Sequence, residues 1–413
     1  QHVLAMFASN VTPSIIVAGA AGLAFGGAEQ IYLIQMAMLF AGIATLFQTI
    51  GIGPIGARLP IMQGTSFAFV GVLAGVAATQ GLSVALTACI IAGLIHFSLG
   101  SVIQKLRFMF PPLVTGLVIL AIGLYLIPVA IKYAAGGAAD FQMAADSFGS
   151  LLHWTVALTV VVVSLACKFM TKGLISNAAI LIGLIAGYIV AVFSGMVSFG
   201  GVENAKWFQL PAVMPYGFEF SLGAVIGVTL VSLVSAIETI GDTSATTKAG
   251  SERDATDAEI SGATYADGLG TAVAGVFGGL PNTSFSQNVG IVGMTGIMSR
   301  HVVTIAGIIM IICGLIPKIG AVISSMPLPV LGGGVIVMFG MVAAAGMNML
   351  STVSMNRRNM IIISVSLAVG LGLNLVPSAV QHLPGIWKTL ATSAVAPTAL
   401  LAVIMNLVLP EDD

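Results

Sequence analysis

Three carboxylates sit inside strongly apolar runs. Glu238 and Asp242 fall in "SAIETIGDTSATT" and Asp267 in "YADGLGT". The other twelve of the fifteen acids fall in loops or in the tail. A charged, unpaired side chain at the centre of a bilayer costs about 2.5 kcal/mol or more, so acids kept there are candidates for a task. Glu238 and Asp242 are four residues apart and share one face of a helix. Two acids so placed, away from water, can hold a proton between them. Glu238 lies deeper in its run, which assigns it to substrate and Asp242 to the proton. Asp267 stands on the following apolar run.

A second polar cluster is the stretch "GGLPNTSFSQNVGIVG", Gly278 to Gly293. Its proline, glycines and amides are hostile to a helix, yet apolar runs flank it on both sides. Gln287 and Asn288 offer paired donors and acceptors there, suited to a planar heterocycle with amide-like edges. Asn288 reads equally as interhelical glue. His2, at the head of the first run, reads equally as a partner for the acids and as a terminal side chain reaching for water.

The elements that must hold these groups follow from composition. The 413 residues are 58% hydrophobic and 7% charged, against about 25% charged in soluble globular chains. This is an all-α polytopic membrane protein. Breaks at polar or Gly/Pro positions give about fourteen spans, the third and tenth of them short. The chain opens inside its first span with no cleavable signal peptide in view, so its start reads as trimmed. With the N-terminus inside, inner loops hold ten Lys and Arg (Arg58, Lys105, Arg107, Lys168, Lys172, Lys248, Arg253, Arg300, Arg357, Arg358). Outer loops hold four (Lys132, Lys206, Lys318, Lys388), which places both ends in the cytoplasm.

The chain also repeats itself. "LPIMQGTSFAFVG" from Leu59 matches "LPNTSFSQNVG" from Leu280, their Thr-Ser-Phe triplets 218 residues apart. "MFPPLVTG" from Met109 matches "MPLPVLGG" from Met326 at an offset of 217. Seven spans fit in that offset, so the second copy enters the membrane inverted, a 7+7 plan used by secondary transporters. In each copy an extended stretch then leads into a half-helix near the midplane. The two N-termini face each other and offer free N–H groups and partial positive charge. Ser66 and Ser284 are placed to cap them.

Other classes are weakly supported. Lys+Arg 14 against Asp+Glu 15 gives no basic face for nucleic acid. Cys89, Cys167 and Cys313 are scattered, and no His/Cys cluster has metal spacing. No nucleophile–base constellation for an intramembrane enzyme assembles. The glycines of "GAAGLAFGGAEQ" lack the context of a nucleotide fingerprint. An anion exchanger would usually carry a basic residue at the half-helix junction, where this chain has acids and no base.

The segments "QHVLAMF", "AIETIGD", "NTSFSQNVG" and "LPVLGGGVIVMFGMVAAAGM" resemble the nucleobase–ascorbate transporter family, in its bacterial xanthine and uric acid permease branch. The resemblance covers essentially the whole chain. It implies a core domain of spans 1–4 and 8–11 (residues 1–107 and 221–318). A gate domain of spans 5–7 and 12–14 (residues 108–220 and 319–413) completes the fold. It further implies proton-coupled uptake into a bacterium across the cytoplasmic membrane, an elevator-like motion, and a homodimer joined through the gates. No cofactor is implied beyond the coupling proton.

Residue by residue, the family's binding acid maps to Glu238 and its second binding position to Gln287, flanked by Phe285 and Ser286. Its third-span contacts map to Ser66 and Phe67, the latter able to stack on a base. The coupling network maps to Asp242, Asp267, His2 and Asn288. An amide at position 287 goes with oxidised purines, xanthine or urate, and an acid there with uracil. The chain departs from many xanthine carriers in reading "QNVG", with Val289, where they read "QNNG", and its "QGTSFAFVG" is also similar to uracil and ascorbate branches. A uracil carrier of the same fold is therefore the nearest alternative. Gln287→Glu should move preference from urate and xanthine toward uracil or neutral bases, read in an uptake-competition assay. Unchanged competition profiles would refute the role given to Gln287.

Overall fold

Proline and glycine punctuate the apolar runs, and some helix ends fall at them: Gly27 and Gly51 flank Ala28–Ile50, Gly81 and Gly100 flank Leu82–Leu99, and Pro111 and Pro327 immediately precede Pro112–Ala134 and Leu328–Leu350. A computed structural model describes residues 1–410 except 138, 139 and 142. Fourteen helices of ten residues or more are present among them. In the first half these are α1 (His2–Ala20), α2 (Ala28–Ile50), α3 (Val70–Gln80), α4 (Leu82–Leu99), α5 (Pro112–Ala134), α6 (Leu151–Met170) and α7 (Ala179–Phe193). In the second half they are α8 (Leu222–Ser251), α9 (Asp257–Val276), α10 (Ser286–Thr295), α11 (Arg300–Gly314), α12 (Leu328–Leu350), α13 (Arg357–Leu375) and α14 (Val395–Val408).

Among the described residues, eight of these are long and apolar enough to cross a membrane. A ninth is counted if α11 and the short helix Pro317–Ser324, bent by 79° at their junction, form one span. Helices α3, α7 and α14 are apolar but shorter, and α9 carries Asp257, Glu259 and Asp267. The outer faces are apolar as well: Leu158, Val162 and Leu165 of α6 are each more than two-fifths exposed. A surface of this kind faces lipid.

Two short strands interrupt this helical frame. β1 (Gln63–Thr65) and β2 (Asn282–Ser284) pair antiparallel, with Gln63 opposite Ser284, Gly64 opposite Thr283 and Thr65 opposite Asn282. Two more backbone bonds extend the ladder, Ser66 N–H to Pro281 O at 2.8 Å and Phe285 N–H to Met62 O at 2.9 Å. Extended backbone among apolar helices must find its hydrogen bonds inside the protein. Here each broken segment supplies them to the other. The crossing explains Gly64: a Cβ there would lie 2.4 Å from the Phe285 ring and 2.9 Å from Asn10 Oδ1.

Half-helices α3 and α10 leave this crossing, as the repeat requires, but the expected serine caps are not made. The helices start from Phe69 and Phe285, without side-chain caps. Ser66 stands four residues before α3 begins, and its hydroxyl has no partner among the described residues. Ser284 is held as the last residue of β2, and its hydroxyl is given to Asp242.

Packing falls into two sets. In one, α2 lies against α11, α4 against α9 and α8, and α1 against α2 and α3. In the other, α5 lies against α12, α6 against α7 and α12, and α13 against α14. The sets meet where α1 touches α7 and α12, and where α8 touches α5 and α14. Within the first set the α4–α9 crossing is close enough to exclude side chains, a Cβ on Gly268 falling 2.2 Å from Phe97 N. Gly268→Leu should therefore destabilise the protein by about 2–3 kcal/mol, read as a lowered melting temperature in detergent. Gly340→Ala, whose Cβ meets nothing within 4 Å, should melt no lower than the unmodified protein.

Candidate functional site

Helices α8 and α9 both pack against β2, and each carries one of the two acids that organise the crossing. Asp242, only 5% exposed, accepts hydrogen bonds from Ser284 Oγ and Ser286 Oγ, both at 2.7 Å. It thus ties the end of β2 to the first turn of α10. Asp267 of α9 is fully buried and accepts from Gln63 Nε2 at 2.5 Å, from Thr239 Oγ1, and from Gln48 Nε2 at 3.5 Å. Gln63 and Ser284 are partners in the ladder. The two acids therefore grip the same rung from its two strands.

In front of the crossing lies a cavity of about 370 Å³, bounded by both packing sets. Glu238 and Gln287 both line it, and neither side chain has a hydrogen-bond partner among the described residues. Ser66, Phe67, Phe285 and Ser286 line it beside them. Phe67 and Phe285 are buried to within 8% and 5% of full enclosure, so each shows the cavity only part of its ring. The opposite wall is apolar, formed by Ile119 and Ile122 of α5 and Met341, Val342 and Ala345 of α12. An unpaired carboxyl and an unpaired carboxamide in one small cavity with ring faces nearby suit a flat, polar-edged guest.

The cavity lining extends to Lys168 in the last turn of α6, Ser176, Asn177 and the exposed Met294. Sequence reading puts Lys168 in a loop and finds no base near the junction, whereas the fold sets this lysine at the cavity mouth.

His2 and Asn288 are brought together, with Asn288 Nδ2 3.0 Å from both His2 Nδ1 and the His2 carbonyl oxygen. Among the described residues His2 bonds to none of the three acids, so it joins the cluster through the neighbour of Gln287. Among the described residues no three His, Cys, Asp or Glu side chains converge as metal ligands.

Several participants escape sequence reading. Asn10 of α1 accepts from Thr65 N–H at 2.8 Å and donates to Ala37 O at 3.0 Å, fixing β1 to α1 and α2. Thr239, Gln48 and Gln63 complete the Asp267 cage. For the amides a signal exists, since Asn10 and Gln48 are uncharged polar residues inside apolar spans. Thr239 has none.

Fold and site together define a multi-pass membrane permease. A model described as a permease family, Xan_ur_permease, matches residues 1–408. The chain is 37% identical to the uric acid permease PucK of Bacillus subtilis, over 98% of this chain and 93% of that one. It is 35% identical to the xanthine permease of the same organism (99% and 92%) and 36% identical to the uric acid transporter UacT of Escherichia coli (98% and 84%). Among solved structures it is similar to the transmembrane domain of the cyanobacterial bicarbonate transporter BicA, with TM-score 0.63, 15% identity and coverage of 98% and 96%. It is also similar to the murine anion transporter Slc26a9, with TM-score 0.58, 13% identity and coverage of 98% and 68%. At such identities these two likenesses speak to fold alone. The chain belongs to the nucleobase–ascorbate transporter family, and it is a transporter, not an enzyme.

Asn10→Leu should leave the buried Thr65 amide unpaired, at a cost of about 1–3 kcal/mol. The expected readout is a lower melting temperature together with weaker ligand binding, because the strand it anchors borders the cavity.

Proposed function

We propose that the protein is a proton-coupled symporter importing an oxidised purine, xanthine or uric acid, across the bacterial cytoplasmic membrane. The observation that carries this is the pair Glu238 and Gln287, both without a hydrogen-bond partner among the described residues, lining one cavity at the start of α10. Gln287 can donate to a ring carbonyl and accept from a ring N–H in a single two-point contact. Glu238 accepts from a second N–H. Phe67 and Phe285 supply ring faces, and Ser66 and Ser286 further polar contacts. The names of the xanthine and uric acid relatives support the same substrate class.

Asp242 is the proposed proton site. As a carboxylate it accepts from two hydroxyls. A proton on either oxygen converts that acceptor into a donor, and the facing serine must turn. That serine is Ser284, at the end of β2, or Ser286, at the head of the helix bearing Gln287. Protonation is thereby felt at the substrate position, with Asp267 holding the other strand and His2 and Asn288 bracing α10. Neutralising the cluster also lowers the cost of carrying it past apolar neighbours.

The full reading is a 7+7 inverted repeat of fourteen spans. Spans 1–4 and 8–11 form a core that rides, elevator-like, against a gate of spans 5–7 and 12–14. Its termini are cytoplasmic, its gates pair in a homodimer within the lipid, and the proton is its sole coupling partner. The two packing sets and the paired half-helices support this plan. With cytoplasmic termini, the cavity mouth at Lys168 opens inward. Lys168 also favours a second reading, an anion exchanger, which Glu238 in the wall of the same cavity opposes.

Uptake of labelled xanthine, urate and uracil into proteoliposomes, with and without an inward proton gradient, tests the proposal. Gradient-driven accumulation of xanthine or urate is expected. Dominant uracil uptake would select the uracil carrier, and bicarbonate or chloride exchange the other reading. Glu238→Gln should fold normally and lose most binding. Asp242→Asn should bind but fail to accumulate substrate against a gradient. Normal accumulation by that variant would remove Asp242 from the coupling step.

A further inference from the structure

Phe67 belongs to the packing set that bears the acids, yet the other set holds it in place. We propose that Tyr125 of α5 and Phe339 of α12 are positioning residues that set Phe67 against the substrate, so that the binding site is complete only while the two sets are docked as seen here. The inference rests on the nucleobase reading above and adds to it a dependence of affinity on the contact between sets.

The geometry is specific. Tyr125 Oη accepts from Gly71 N–H at 3.0 Å and donates to the Phe67 carbonyl at 3.4 Å. Gly71 lies in the first turn of α3, where amides have no partner within the helix. Its N–H is thus satisfied from a different helix set. Tyr125 is buried, and Gly71 leaves room for it: a Cβ at 71 would stand 3.2 Å from the tyrosine ring and hydroxyl. On the other side, the Phe67 ring meets Phe339 edge-to-face, with centroids 5.2 Å apart. Phe339 is fully buried. Phe67 lines the cavity, whereas Tyr125 and Phe339 do not. One residue of the site is therefore gripped by backbone and by ring, from two helices that themselves pack together.

The consequence follows from linkage. If substrate binds best with Phe67 held, then binding favours the docked arrangement by the same factor. Separation of α5 and α12 from α3 breaks the tyrosine bonds and frees the phenylalanine ring. A site that loosens when the sets part releases its guest on the side to which it then opens.

Tyr125→Phe keeps the ring and deletes the hydroxyl. The expected result is a folded protein whose xanthine Kd and uptake KM rise together, roughly threefold to tenfold, the worth of about one hydrogen bond. Vmax should change less. In a Phe67→Ala background, Tyr125→Phe should add no further loss. Phe339→Leu, which loosens the ring from the other side, should reproduce the effect and serves if Tyr125→Phe does not fold. A lowered melting temperature with unchanged Kd and KM in these variants would overturn the proposal, as would an equal loss with and without the Phe67 ring. Failure of the unmodified protein to bind xanthine, urate or uracil would instead remove the functional reading, and the clamp with it.

Discussion

Backbone hydrogen bonds must be satisfied wherever water is absent, and the rest of this molecule is arranged around one place where helices do not satisfy them. At β1 and β2 the chain runs extended among buried apolar helices. Left alone, either strand would strand several N–H and C=O groups at several kcal/mol each. Paired, they satisfy one another and leave two half-helix N-termini beside a cavity. Neither broken segment is tolerable without its counterpart, which gives a physical reason for the two to occur together. The same pairing imposes Gly64, since the Phe285 ring and Asn10 occupy the space a side chain would need.

The acids are best understood from the crossing. Asp267 and Asp242 satisfy side chains of the two residues that form its outer rung. They serve structure and, for Asp242, a hydroxyl arrangement that a single proton would rearrange. Glu238 is different in kind. It has the same chemistry and the same helix as Asp242 but no hydrogen-bond partner among the described residues, and it fronts the cavity. Partnering, not residue type, separates an acid that holds the frame from one free for a ligand.

Much of this was legible in the sequence for a physical reason. Membrane-spanning helices are announced by runs of apolar residues, because lipid imposes length and composition on every span. The breaks before Thr65 and Thr283 were legible because proline, glycine and amides have few other reasons to cluster there. Glu238, Asp242 and Asp267 stood out because charge is rare in such runs. The serine caps were misread because the starts of α3 and α10 are set by where the strand ladder ends, and the ladder joins residues more than 200 positions apart. His2 reads from the sequence equally as a partner for the acids and as a terminal side chain, and the fold sets it against Asn288.

The sequence by itself determined that this is a multi-pass membrane protein, that two pairs of segments recur at an offset of 217 to 218 residues, and that polar groups gather at two broken segments. Those facts follow from local composition and from recurrence along the chain. Only the tertiary structure decided which carboxylate is free, that Asn10 and Gln48 belong to the centre, that Lys168 stands at the cavity mouth, and that Tyr125 of one helix set completes the half-helix of another. Each of these is a meeting of residues remote in sequence, and apolar runs carry almost no record of which neighbour they will pack against.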